Sequence, residues 1–124
     1  MARGVIHSKV RGVTHDNPDK KNRQAIIKKH VKVGLPLTAR REPNNPVDKN
    51  AIGLWVEIKG LLSRGESQIG YISSELAEEL SHFMMKGGRL EIKVTDVTGG
   101  GRDESLGVNI EIKKVELKPV GALL

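Results

Sequence analysis

Between residues 35 and 58 the chain passes from one strand-like pattern to another through a segment that fits neither. This interruption limits what the chain can fold into. Upstream, "LPLTARR" alternates Leu35, Leu37 and Ala39 with other residues, and downstream "AIGLWVEIKG" carries Ala51, Ile52, Leu54, Trp55, Val56 and Ile58. A period of two is the signature of a half-buried strand. Between them lies "EPNNPVDKN", where Pro43 and Pro46 preset φ and Asn44, Asn45 and Asp48 can bond their own main chain. A two-residue Asn-Gly turn would have sufficed to join two strands. A longer, stiff loop can instead hold Arg41, Asp48 and Lys49 at fixed places on a surface. Asn50, at the strand entrance, is expected to bond backbone within the fold.

The remaining segments supply the other elements. "GVIHSKVRGVT" (4–14) alternates loosely and reads as a first strand. "DNPDKKNRQAIIKKHV" predicts a helix near 18–30, with Asn17 as cap and Pro18 at the first helical position. Ile26, Ile27 and Val31 then face inward and Lys20, Lys21, Arg23, Lys28 and Lys29 outward, with Gly34 as a stop. "LLSRGES" reads as a turn and "QIGYI" as a short strand. "SSELAEELSHFMMKGG" predicts a helix over 73–86, capped by Ser73, with one apolar stripe of Leu76, Ala77, Leu80, Phe83 and Met84, and Gly87 at its left-handed end. "RLEIKVTDV" and "GVNIEIKKVEL" alternate on either side of the glycine-rich "TGGGRDESL". The expected core is Ile26, Ile27, Leu37, Ile52, Leu54, Val56, Ile69, Leu76, Leu80, Ile92, Val94 and Ile110. About six strands and two helices result: a mainly β (α+β) fold, closed most economically as a six-stranded, OB-like small β-barrel.

With 124 residues, the chain is expected to form one domain over 1–124, with its core at about 4–116 and a tail over 117–124. No apolar run reaches the ~20 residues that span a bilayer, so no membrane association is expected. The start lacks an apolar stretch of signal-peptide length, and there is no cysteine for a disulfide or thiolate. Cytoplasmic residence is the default expectation.

Charge is distributed unevenly. Residues 1–41 hold eleven Lys/Arg against Asp16 and Asp19, a net of +9, whereas residues 42–124 hold ten against thirteen Asp/Glu, a net of −3. A basic half joined to a mildly acidic one is the footprint expected for a polyanion partner, the alternative being a merely solvated basic helix. In the first reading Lys20, Lys21, Arg23, Lys28, Lys29, Arg40 and Arg41 contribute to one positive surface reaching the loop.

Little points to catalysis. His7, His15, His30 and His82 lack metal-ligand spacing. Glu78 and Glu79 are adjacent on a helix and face different directions. The glycines at 99–101 lack the Lys-Ser/Thr of a phosphate-binding loop, and no Gly-x-Ser-x-Gly is present. No enzyme activity, metal or cofactor is expected, and nothing in the pattern sets an oligomeric state.

The loop and its surroundings together resemble the HIRAN domain family. The pattern Arg-Glu/Asp-Pro-Asn-Asn-Pro-x-Asp-x-Asn-Ala-Ile is carried by Arg41, Glu42, Pro43, Asn44, Asn45, Pro46, Asp48, Asn50, Ala51 and Ile52. It is followed by Ile69, Gly70 and Tyr71 and a helix containing Leu76, Ala77 and Leu80, and "VRGVTH" resembles the family's first strand through Val10, Gly12 and Val13. The resemblance covers roughly residues 4–116. It implies an OB-related barrel and a DNA-binding role, in SWI/SNF-type fork remodellers the recognition of single-stranded DNA and its free 3′ end. By position, Asp48 would accept a hydrogen bond from a terminal 3′ hydroxyl, with Arg41 and Lys49 near backbone phosphates. The end-binding members carry stacking aromatics where this chain has Thr14, His15 and Asp16, and again where it has Val47. His15 is the one partial substitute for a stacking interaction worth ~1–3 kcal/mol per base. The site expected is thus Arg41, Asp48, Lys49, His15, Arg40, Lys28 and Lys29. The partner expected is DNA, with docking on a repair or phage protein through the groove or Glu75, Glu78 and Glu79 as the alternative.

Overall fold

The two alternating segments near the C-terminal end pair with each other over their whole length. Strand β5 (Arg89–Gly99) runs antiparallel to β6 (Leu106–Val115), from Arg89 opposite Val115 to Gly99 opposite Leu106. In the computed structural model, which describes residues 4–60 and 64–117, Leu90, Ile92 and Val94 of β5 all face the core. A register shift between Val94 and Asp96 adds one residue to β5, so inward pointing resumes at Val97 and Asp96 turns to solvent.

The other strands are β1 (Val5–Lys9), β2 (Pro36–Arg41), β3 (Ile52–Lys59) and β4 (Arg64–Tyr71). They extend the sheet to the order β1-β6-β5-β2-β3-β4, with every pair antiparallel. The six strands and the mainly β class agree with the sequence reading, but the ladder does not close fully into a barrel. Its two ends meet at one isolated bridge, where Arg11 and Tyr71 exchange both backbone hydrogen bonds, at 2.8 and 2.9 Å.

Beneath the sheet, the expected core residues are buried, with Leu76 half-buried and packed against them. Val10, Val31, Ile72, Leu90, Val108 and Ile112 complete the cluster. Each fully buried Ile or Leu contributes roughly 2 kcal/mol, so this cluster dominates the stability of the fold.

Helix α1 (Arg23–His30) is shorter than the sequence pattern suggests. Asn22, not Asn17, caps it, accepting from the Ala25 N–H at 3.0 Å. The segment before it folds back as a turn, with Lys20 at φ +70° and Asn17 and Lys21 sharing a backbone bond. Asn17 is buried and its side chain is committed elsewhere, donating to the Gln68 carbonyl and accepting from Arg23. Arg23, read from sequence as an outward residue, is only 5% exposed. Lys28, Lys29 and His30 occupy the last turn, where cations suit the negative helix end.

Helix α2 (Ser74–Met85) has the predicted stripe, and Gly87 takes φ +95° just beyond it. Ser73 precedes it as expected but makes no side-chain capping bond. Strand boundaries move as well. The first strand stops at Lys9, and β4 starts at Arg64, taking residues read as part of a turn. Residues 61–63 of that turn, and 118–124 of the expected tail, lie outside the described residues.

Candidate nucleic-acid interface

The loop from Glu42 to Asn50 is built around two side chains. Asn45 Oδ1 accepts from the backbone N–H groups of Val47 and Asp48 at 2.9 and 3.1 Å, while its Nδ2 donates to Glu42 Oε1 at 3.0 Å. The Glu42 carboxylate also accepts from the Tyr71 hydroxyl at 3.0 Å and from Gln68 Nε2 at 3.5 Å. Glu42 N–H to the Ala51 carbonyl and Ala51 N–H to the Asp48 carbonyl close the loop's base. Glu42 therefore ties the loop to β4. The proline-asparagine pattern signals a rigid loop but not this anchor.

Asp48 emerges from this scaffold half-buried. Its Oδ1 accepts from the Asn50 N–H at 2.9 Å, and Oδ2 has no partner among the described residues. Asn50's bond is thus made by its backbone to the Asp48 side chain. The geometry closes the turn and leaves one carboxylate oxygen available.

Asp48 and His15 line a groove of about 600 Å³, whose walls also carry Val47, Tyr71, Arg11 and Arg23. Val47, 93% exposed, is held at its edge by the Asn45 bond. Ser73, Ser74 and Glu75, opening α2, form another part of the wall. Trp55, Tyr71 and Phe83 are all half-buried, and of these Tyr71 reaches the groove.

The other expected site residues do not share this wall. Successive residues of a strand point to opposite faces, which separates Arg40 from Arg41. Arg40 stacks on the Trp55 ring at 4.8 Å and pairs with Glu66. Arg41 donates from Nε to the buried Ser81 Oγ of α2 at 3.1 Å. Lys49 is exposed on the loop outside the groove lining. Lys28 and Lys29 are exposed on α1, with Lys29 beside a second, smaller hollow shared with Lys21 and Ile58. The cations that line the main groove are Arg11 and Arg23. Arg11 occupies the open position of Val-x-Gly-Val, where the pattern gives no weight to the side chain. Arg23 was hidden from sequence reading by the assumption that a charged helix residue faces water.

The HIRAN domain model matches residues 4–115. Among solved structures, the fold is similar to a protein from Lactobacillus plantarum, at 21% identity and TM-score 0.58, covering 89% of this chain and 99% of that one. It is similar also to the HIRAN domain of human HLTF, at 21% identity and TM-score 0.57, covering 91% and 77%. Comparison with curated proteins finds no matching sequence. No described helix is long and apolar enough to cross a membrane, and no described cluster of His, Asp or Glu could hold a metal. With the family model spanning nearly all of it and both solved structures sharing its fold, the chain belongs to the HIRAN domain family, known as a family of DNA-binding domains.

Proposed function

We propose that this protein is a non-enzymatic DNA-binding module, acting in repair or replication, whose groove receives a single strand or its 3′ end. One observation carries the reading: Asp48 is fixed by a rigid loop in a groove that also holds Arg11 and Arg23, with one carboxylate oxygen unbonded among the described residues. A carboxylate accepts from a hydroxyl and repels a phosphate, whereas guanidinium groups attract the strand's phosphates. Because the loop is ordered by Asn45 and Glu42 before any ligand arrives, little ordering entropy is lost on binding. His15 offers a partial stacking surface. Lys28, Lys29, Arg40 and Arg41 of the basic half, with Lys49 on the loop, act from outside the groove, drawing the strand in through their positive field.

Fluorescence anisotropy with 3′-hydroxyl single strands, duplex and RNA over a salt series tests this. Affinity should fall steeply, by roughly 0.7 units of log K per unit of log salt for each phosphate contact with a single strand. Reversing Lys28 and Lys29 to Glu should weaken all DNA ligands alike and flatten the slope by roughly 0.7 units per lost contact on a single strand and roughly 0.9 on duplex. No binding to any oligonucleotide at low salt would instead favour a protein-docking module.

A further inference from the structure

Arg23 is a buried cation without an ion-pair partner among the described residues. The residue is only 5% exposed, and none of the described carboxylates pairs with it. Nε donates to Asn17 Oδ1 at 2.7 Å, Nη1 donates to the Gly12 carbonyl at 2.9 Å, and the guanidinium sits 5.4 Å from the Tyr71 ring centroid. These contacts are all neutral. A guanidinium stays charged in proteins and carries five N–H donors, so the Nη2 group and the second Nη1 hydrogen are left without an acceptor among the described residues. A charge removed from water without a counter-ion is strongly disfavoured unless something pairs with it. Nη2 is not among the fully buried unsatisfied atoms, and Arg23 forms part of the groove wall. Nη2 therefore keeps some accessible surface, and the groove is the hollow that Arg23 lines.

We infer that Arg23 is the fixed anion seat of the groove and binds one phosphodiester of the DNA strand. The inference rests on the proposed DNA-binding reading. Asn17, Gly12 and Tyr71 hold the guanidinium in place from three sides, so the planar fork meets a phosphate without rearranging. Asp48 on the same groove and Glu75 at its rim restrict where an anion can settle. A phosphate placed against either acid would be repelled, while one at Arg23 replaces the missing counter-ion. A surface lysine bound by long-range attraction would treat all linkages alike, whereas a fixed seat singles one out.

The test needs no variant to begin. A short 3′-hydroxyl oligonucleotide is made with one neutral methylphosphonate linkage at each position in turn, and each form is titrated against the intact protein. One linkage should cost roughly tenfold in affinity and the others clearly less. In Arg23→Met that position-specific penalty should vanish, and in Arg23→Lys it should shrink, with circular dichroism confirming the fold. Equal penalties at all linkages of the unmodified protein, or a penalty that persists in a folded Arg23→Met, would overturn the inference while leaving DNA binding intact. In parallel, the Arg23 Nε–Hε resonance is followed during titration with inorganic phosphate. A saturable shift supports the seat even if no oligonucleotide binds, in which case only the DNA reading falls. A resonance unmoved by both phosphate and DNA overturns the seat itself.

Discussion

Gly70→Ala should lower the unfolding midpoint by roughly 10 °C, corresponding to about 3 kcal/mol for overpacking at a site that cannot yield. A Cβ at Gly70 would stand 2.3 Å from the Arg11 carbonyl oxygen and 2.6 Å from Val10 Cγ1. The first of these atoms is backbone, so no rotamer change relieves the clash. The close approach follows from the sheet. A register shift opposite Leu54 and Trp55 inserts Ile69 as an extra residue in β4, and the strand turns there to meet Arg11. Breaking this bridge would also displace Arg11 and Tyr71 from the groove. Gly65→Ala is the control, because a Cβ there meets nothing within 4 Å on the same strand. It should change stability by no more than about 0.5 kcal/mol. A Gly70→Ala protein that melts with the unmodified one would mean that the two sheet ends are not closely joined.

The second large effect concerns the strand end. A 3′-phosphorylated strand should bind at least roughly tenfold more weakly than its 3′-hydroxyl form, because phosphate and carboxylate would meet at short range away from bulk water. Asp48→Asn is the informative variant. It keeps an oxygen to accept the Asn50 N–H, so the turn survives, but it removes the charge. The ratio between the two ends should then fall toward one. Asp48→Ala would remove both, costing about 1 kcal/mol of stability whatever the residue does for DNA. Stability alone therefore cannot separate the roles; the ratio does. A ratio unchanged in Asp48→Asn would reduce Asp48 to a turn-closing residue.

Period-two patterns located β2, β3, β5 and β6 because each strand buries one face, and the stripe of α2 was legible for the same reason. Boundaries failed where local signals compete with long-range bonds. Asn17 and Pro18 look like a helix start, yet Asn17 is used to join Gln68 and Arg23, residues 51 and six positions away. The proline-asparagine loop was readable as rigid, and His15 and Asp48 do meet at one groove. What sequence could not reveal is which cations face it. Arg40 and Arg41 are adjacent in the chain and diverge by strand alternation, while Arg11 and Arg23 converge only through the turn between β1 and α1. A charge count over residues 1–41 registers all of these equally.

Chemical-shift mapping of the uniformly labelled protein with a short 3′-hydroxyl single strand distinguishes binding in the groove from attraction to the surface of α1. The backbone amides of Arg11, Gly12, Asp48, Tyr71 and Ser73 should shift together and saturate at one stoichiometry, with smaller, salt-sensitive changes along Lys28 and Lys29. Shifts confined to the exposed face of α1, with the groove amides unmoved at saturation, would mean that the groove is not where DNA binds.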